Sequence, residues 1–394
     1  MPRRSVQQLY YITHLANLPS ILDRGILSHQ RIEDEGIPFV PVYDAAIVGN
    51  RRSRTVGDGR NLWQFANLYF QPRNPMLFRV ALVEGRLQDI VVLGVDRDVL
   101  NSLAGYISLG NAASQQSEIL PLAEGQKAIP EILKWSDNEF WTQEVGMKRK
   151  IMSEVLVPGV VPPDYIRTVF VANHEASTVT GEALLAVPGT TPPVVVEPRM
   201  FFQPALQRQL TPQLSLAEGD MFFSRLQTLT VSVNTVGVMG KGLASRAKYQ
   251  FPDVYVRYQD ACRTKRIQMG KPYLYKRESS LDEELADEPG TLTSANGETW
   301  FLLFATKHHW RQPADIQGIE EGLRWLEARY KTEGITSLAM PALGCGLGKL
   351  NWADVGPLMC RYLRSFEIPV RIYLPTESKL PPEQLTKEFL LAEA

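Results

Sequence analysis

The chain has 394 residues, more than a single hydrophobic core usually organises, so two domains are expected. An apolar fraction of 44% and a charged fraction of 22% exclude a fibrous or disordered class, and a net charge of −1 gives no global attraction to nucleic acid, so any such contact needs a local basic cleft. The opening MPRRSVQQLYYIT has no apolar signal region, and no run approaches the ~18 apolar residues of a membrane span, so no membrane association and a cytoplasmic location are expected.

Gln8–His14 alternates as a strand, and Asn17–Gly25 reads as a short helix ended by glycine. The segment IVGNRRSR, Ile47 to Arg54, reads as an arginine-rich loop. Met76–Val83 and Ile90–Val95 are β-branched runs separated by the turn-like Glu84-Gly85, and Ile166–Ala172 is a further strand. Strands outnumber helices, which predicts an α+β domain on antiparallel sheets. Proline and glycine cluster in AVPGTTPPVVVEPR, which sets the expected boundaries: a domain over 1–190, a linker over 191–199 and a second domain over 200–394.

In the second half, Thr228–Thr235, Trp300–Thr306, Ile335–Met340 and Val370–Leu374 are short apolar runs with helical patterns between several of them. Ile316, Ile319, Leu323 and Leu326 mark one helix face. This alternation predicts a three-layer α/β domain on a mostly parallel sheet. The polar stretch 277–298, RESSLDEELADEPGTLTSANGE, reads as an acidic insertion: a solvated loop, or in a sharper reading a decoy for the neighbouring domain's DNA cleft.

The chemistry concentrates in a few places. Glu154 sits within the apolar run Ile151–Gly159, where an unpaired carboxylate is costly; it either faces solvent from an edge strand or steadies a cationic transition state. Arg51, Arg52 and Arg54 suit contacts to solvent or phosphate, and one arginine also suits polarising a base carbonyl. The loop Asn234 to Ala244, NTVGVMGKGLA, follows a strand and opens a helix, with Gly237, Gly240 and Gly242 permitting close backbone approach to a phosphate. A second cluster, Gly344-Cys345-Gly346-Leu347-Gly348, also follows a strand. Either loop alone is compatible with a tight turn; the pair suits a diphosphate ligand. Lys307 ends a strand; it reads either as an ordinary surface lysine or as a desolvated amine able to act as a nucleophile. Trp310 and Trp352 offer stacking faces or core packing, and His308 and His309 read as packing or rim residues. Three cysteines (Cys262, Cys345, Cys360) without CxxC spacing imply neither disulfides nor a metal site.

From about residue 200 onward the chain resembles the macrodomain family, DarG branch, through NTVGVMGKGLA, KYQFPDVYVRYQDAC, FATKHHWR and PALGCGLGKLNWADV. That resemblance implies ADP-ribose binding: Asp220 near the adenine amino group, Asn234 facing the distal ribose, and Gly344, Cys345, Gly346, Leu347 and Gly348 wrapping the diphosphate. It also implies a functional Lys307 that removes ADP-ribose. Lysine-dependent relatives pair that lysine with an aspartate in the second loop, where this chain has Gly348.

The first half resembles the DarT toxins, DNA-modifying ADP-ribosyltransferases, through YYITHLANLPSILDRGIL, IVGNRRSRTV, LYFQPRNPML and KRKIMSEVLVP. The resemblance implies an α+β ADP-ribosyltransferase fold, with Glu154 and Arg51 catalytic. Tyr11, Thr13, His14, Leu18, Gly25, Tyr69, Arg73 and Met76 would contact NAD⁺, the substrate; Arg52, Arg54 and Trp141 would serve single-stranded DNA. Many members carry histidine where this chain has Tyr11, and His14 stays open between ligand contact and strand packing. The expectation is a fusion that writes ADP-ribose onto a DNA base, thymine favoured and guanine the alternative, and erases it, with an intramolecular contact between the toxin and antitoxin domains. A protein-directed transferase carrying a non-catalytic ADP-ribose reader is the rival reading.

Overall fold

The computed structural model describes residues 5–392 except 43–44, 137–139, 143, 288–291, 293–294 and 376–378, and for 45–48 the backbone alone. Two compact units form: Met1–Phe201 with the short segment Leu285–Glu288, and Phe202–Glu284 with Pro289–Ala394.

The first unit is built on an eight-stranded sheet and a two-stranded ribbon. Its strands are β1 (Gln8–His14), β2 (Ile26–Leu27), β3 (Phe65–Tyr69), β4 (Ile90–Asp96), β5 (Tyr106–Ser108), β6 (Ile119–Pro121), β7 (Glu154–Pro158), β8 (Val160–Val161), β9 (Ile166–Val171) and β10 (Val194–Val196). The large sheet runs β10-β9-β4-β1-β3-β7-β5-β6, and β2 pairs with β8. Every pairing is antiparallel except β9 with β10. The central strand β4 is buried along Ile90–Val95, and its Leu93 shares a core with Leu9, Leu68 and Val155 of neighbouring strands and with Leu18 and Ile21.

Three expectations change. The proposed linker 191–199 contains an edge strand, because Val194–Val196 pair in register with Val169–Val171; three successive valines favour the sheet over a free connection. Met76–Val83 is helical, not extended: Asn74 Oδ1 accepts the Leu77 amide at 3.0 Å, Pro75 occupies the first helical position, and a π-helical turn continues over Arg79–Val83. The cap and the proline determine the conformation, while burial from Leu77 through Val83 removes the periodicity by which a helix is read. Arg51 and Arg52 lie on the last turn of a helix, Ala45–Ser53, not on a loop.

The second unit has a seven-stranded sheet of β11 (Leu206–Gln209), β12 (Leu214–Glu218), β13 (Thr228–Asn234), β14 (Tyr273–Tyr275), β15 (Trp300–Lys307), β16 (Leu338–Pro341) and β17 (Val370–Tyr373), in the order β11-β12-β17-β16-β13-β15-β14. The inner five strands are parallel, and only the edge pairings β11–β12 and β14–β15 are antiparallel. β15 is buried on both faces: Leu302 and Phe304 join the core formed with Ile319, Leu323 and Leu326 of the helix Ile316–Glu333, whereas Phe301 meets Phe251 at 4.9 Å. Helices therefore cover both faces, as a mostly parallel sheet requires.

The acidic stretch 277–298 is only partly described, and the described part is not a solvated loop. Leu281 and Asp282 are buried, and Asp282 accepts Arg225 at 2.9 Å and the Asn296 amide at 2.8 Å. The segment Leu285–Glu288 belongs with the first unit, where Asp287 accepts Arg79 Nε at 2.7 Å and Ala286 O accepts Lys148 Nζ at 2.9 Å. Among the described residues no helix is long and apolar enough to cross a membrane.

Candidate active sites

In the first unit the chemistry converges on Glu154, the first residue of β7, which is completely buried. Its neighbours in register are Tyr69 on β3 and Ser108 on β5. Both carboxylate oxygens are engaged. Oε1 accepts the Ala112 amide at 2.8 Å, and Oε2 accepts both terminal nitrogens of Arg51 at 3.2 Å. A buried carboxylate is tolerated only with such partners. The Arg51 side chain is 11% exposed, so the pair is drawn well out of water yet open on one side.

The loop that supplies the Ala112 amide is held in turn. Arg149 donates to Leu109 O and Ser117 Oγ, each at 3.1 Å, and Arg54 donates to Gln115 Oε1 at 2.7 Å and to Ser117 O. Arg54 thus braces this loop. Arg52 is paired with Glu33 and lies over the Trp63 ring at 4.5 Å. Trp141 is 1% exposed and packs edge-on to Phe78, so a base cannot stack on it in this conformation.

The other first-unit residues divide. Tyr11 and Tyr69 line the surroundings of the Arg51–Glu154 pair: burial pushes the Tyr11 phenol up to about 12 against the opposing effect of Arg51, and burial, reinforced by the Glu154 charge, drives the Tyr69 phenol upward as well. Both are protonated donors at neutral pH. Met76 Sδ accepts the Tyr69 hydroxyl at 3.5 Å, and Arg73 donates to Arg199 O at 2.8 Å. Thr13 is buried, with its hydroxyl receiving Asn17 Nδ2 at 3.2 Å, and His14 Nδ1 accepts the Ala16 amide at 3.0 Å, capping the following turn. Leu18 lies in the core, and a Cβ at Gly25 would fall 2.3 Å from Val161 O at φ +88°, so both have packing reasons for their identity.

Sequence reasoning missed the Ala112 amide and His29. His29 stacks on Trp63 at 4.4 Å, and its pKa is pushed down to about 4 by burial, with Arg51 adding to the effect. A backbone amide leaves no trace in residue type; the histidine two residues after Leu27 was visible but carried no pattern.

In the second unit the two glycine loops meet. Gly242, at φ +60°, opens the helix Gly242–Gln250, whose N-cap Lys241 makes no side-chain cap bond, and a Cβ on Gly242 would lie 3.0 Å from Leu347. The helix start therefore lies beside the second loop, an arrangement suited to a diphosphate. Gly237 is at φ +80° and Gly344 at φ +73°. Asn234 ends β13 and stands opposite Lys307 of β15 after a register shift at Val233/Asn234. Lys307 Nζ donates to Leu347 O at 3.3 Å, and its pKa is lowered by burial and by the Lys349 charge. A side chain at Gly348 would meet Gly344 O at 2.4 Å, so this loop has no room for the aspartate of lysine-dependent relatives.

Asp220 is 2.7 Å from Arg246 and caps the turn Met221–Phe223 by accepting the Phe222 amide at 3.1 Å. Burial pushes the Cys345 thiol up to about 12, so it is neither a thiolate nor a nucleophile. Trp352 is core, donating to Gln384 O at 3.1 Å, whereas Trp310 is 48% exposed under Arg311.

The profile of the family described as "ssDNA thymidine ADP-ribosyltransferase, DarT" matches residues 10–202. A DNA ADP-ribosyl transferase–DNA ADP-ribosyl glycohydrolase fusion protein of Thermosipho africanus is 55% identical over 386 residues, 98% of this chain and 98% of its own. The solved structure of Thermosipho africanus DarTG in complex with ADP-ribose superposes with a TM-score of 0.92 at 55% identity, covering 98% of this chain and 100% of that one. A DNA ADP-ribosyl glycohydrolase of Thermus aquaticus is 34% identical over 166 residues, 42% of this chain and 42% of that protein.

Proposed function

The chain belongs to the family of DNA ADP-ribosyl transferase–DNA ADP-ribosyl glycohydrolase fusion proteins, and on that premise we propose how its two units divide the chemistry between their residues. The first transfers ADP-ribose from NAD⁺ to a base in single-stranded DNA; the second hydrolyses that link. The observation that carries the residue assignment is the buried Glu154, one oxygen fixed by the Ala112 amide and the other facing Arg51.

In the transfer step the bond from C1″ to nicotinamide breaks and its electron pair leaves with the nicotinamide. Glu154 steadies the oxocarbenium-like ribose in a site where charges are poorly screened. A ring nitrogen of the base bonds to C1″ and its proton passes to solvent. Arg51, beside Glu154, polarises the base carbonyl and makes that ring N–H more acidic. The family description supports thymine as the base. In removal, the neutral amine of Lys307 bonds to C1″ while the base departs with the bonding pair and takes a proton. Water then cleaves the lysine adduct, releasing ADP-ribose and the amine. Its lowered pKa raises the fraction of neutral amine near neutrality. We place the protein in the cytoplasm, a reading that its three free thiols suit.

The test is mass spectrometry of single-stranded oligonucleotides of differing base content incubated with NAD⁺. Lys307→Ala full-length protein is expected to accumulate oligonucleotide carrying one ADP-ribosyl group, where the parent shows little. Adding Glu154→Ala should lower that labelling by about two to three orders of magnitude. Unchanged oligonucleotide masses with Lys307→Ala, or label found on polypeptide instead, would overturn the reading.

A further inference from the structure

No step above uses Tyr258, yet it is fully buried on the helix Pro252–Arg263 directly behind the first glycine loop. Its hydroxyl lies 2.8 Å from Asn234 O and 2.9 Å from Asn234 Oδ1. Burial raises the phenol far above its ordinary value, so the group is a permanent donor facing two oxygens of one residue. Asn234 in turn organises the loop. Its Oδ1 accepts the Val236 amide at 3.1 Å and the Val238 amide at 3.4 Å, and its Nδ2 donates to Val238 O at 2.7 Å. A flipped carboxamide would set its NH₂ against two backbone N–H donors, so only one orientation satisfies the network.

Packing holds this loop on its inner side, where Asn234 and Met239 are buried, but not on its outer flank. A cavity of about 560 Å³ opens on its outer flank, between Thr235–Gly237 and the helix residues Gln259 and Cys262. On that side hydrogen bonds fix it: the Tyr258 hydroxyl from behind, and Thr235 donating through both its amide (3.2 Å) and its hydroxyl (2.9 Å) to His308 O beside Lys307.

We propose that Tyr258 is a positioning residue of the glycohydrolase site: through its hydroxyl it locks Asn234 and the loop 234–238 in the arrangement that sets the distal ribose against Lys307. This rests on the reading of the second unit as the glycohydrolase. Tyr258 touches no reacting atom and acts through Asn234, on both its backbone carbonyl and its carboxamide.

The test compares full-length parent, Tyr258→Phe, Asn234→Ala and the double variant. Two readouts are taken: steady-state removal of ADP-ribose from a modified single-stranded oligonucleotide, and calorimetric Kd for ADP-ribose. Tyr258→Phe removes one buried donor at nearly constant shape, so about a tenfold loss in kcat with weaker ADP-ribose binding is expected. In the Asn234→Ala background the hydroxyl keeps only the backbone carbonyl of residue 234, so the same change should cost clearly less than in the parent, an interdependence that a structural role independent of Asn234 would not produce. In the parent, slow hydrogen exchange of the Val236 and Val238 amides is expected, a measurement that needs no variant to fold. Parental kcat and Kd in Tyr258→Phe, losses that multiply in the double variant, or rapid exchange of those two amides would each overturn the proposal. Should the parent bind ADP-ribose without cleaving the modified DNA, the glycohydrolase reading fails, and the Kd comparison and the exchange rates still decide the role of Tyr258.

Discussion

At the scale of single residues, legibility follows side-chain chemistry. Glu154 stood out because a carboxylate inside IMSEVLVPG demands a reason, whereas Lys307 by residue type alone reads as a surface lysine and is singled out by the resemblance carried by FATKHHWR. Their immediate supports were not legible: the Ala112 amide and the Leu347 carbonyl are backbone atoms, which every residue has. Two pH effects follow from the local electrostatics. His29 is neutral in the folded chain down to about 4, whereas in an unfolded chain it titrates near about 6.5. As pH falls between those values the unfolded state gains a proton that the folded state refuses, so stability drops, by about 2–3 kcal/mol at most. His29→Gln should flatten the slope of Tm against pH across that interval; an unchanged slope would show that other groups dominate. In the proposed mechanism Lys307 reacts as the free amine, so glycohydrolase rates should rise with pH along a limb centred below the ordinary lysine value. Lys349 helps to hold that limb down. Lys349→Asn, which suits the φ of +64° at this position, should move the limb to higher pH in a kcat/KM profile. A limb that stays in place would remove Lys349 from the electrostatics of the site.

Elements were readable wherever one face is buried and one is wet. β1 occupies Gln8–His14 as its weak alternation predicts, and the helix Ile316–Glu333 contains the face marked by Ile319, Leu323 and Leu326. Reading failed at Met76–Val83, which is apolar nearly throughout and whose helical start depends on Asn74 and Pro75 just before it. The equally buried Ile90–Val95 reads correctly because its β-branched residues favour a strand. The register shift at Asn234 was equally hidden, because a one-residue irregularity in a parallel ladder has no compositional mark. Tight helix–sheet contact gives an element-level prediction. Gly322 faces Phe304, and a Cβ there would fall 2.4 Å from the ring. Alanine gains about 1 kcal/mol of helix propensity, but overpacking costs about 1–3 kcal/mol. With Phe304 fully buried and unable to withdraw, the clash should win, and calorimetry of Gly322→Ala should show a lower Tm. A raised Tm would mean that the helix shifts away at little cost.

At the scale of the whole molecule, joining writer and eraser in one chain keeps the eraser at an effective concentration of order millimolar wherever the writer acts. The proline-rich stretch carries β10, which composition alone did not reveal, and the grouping of Leu285–Glu288 with the first unit had no sequence signal beyond its acidity. That grouping is energetically substantial. Arg79 is 4% exposed and Asp287 8%, at 2.7 Å; breaking such a pair strands a charge in the interior. With Glu84 still in reach of Arg79, Asp287→Ala in the full chain should cost about 3 kcal/mol, the low end for a broken buried pair. A calorimetric scan in which this variant melts with the parent would show that Glu84 and water replace the lost partner.

The same segment orders events during synthesis. A ribosome releases the first 201 residues well before position 287, so a nascent or truncated chain that carries Glu154 and Arg51 still lacks the aspartate that neutralises Arg79. By the time that aspartate emerges, β11 through β14 of the second unit have already been translated. A premature stop between these points therefore yields a first unit without one of its own buried counter-ions.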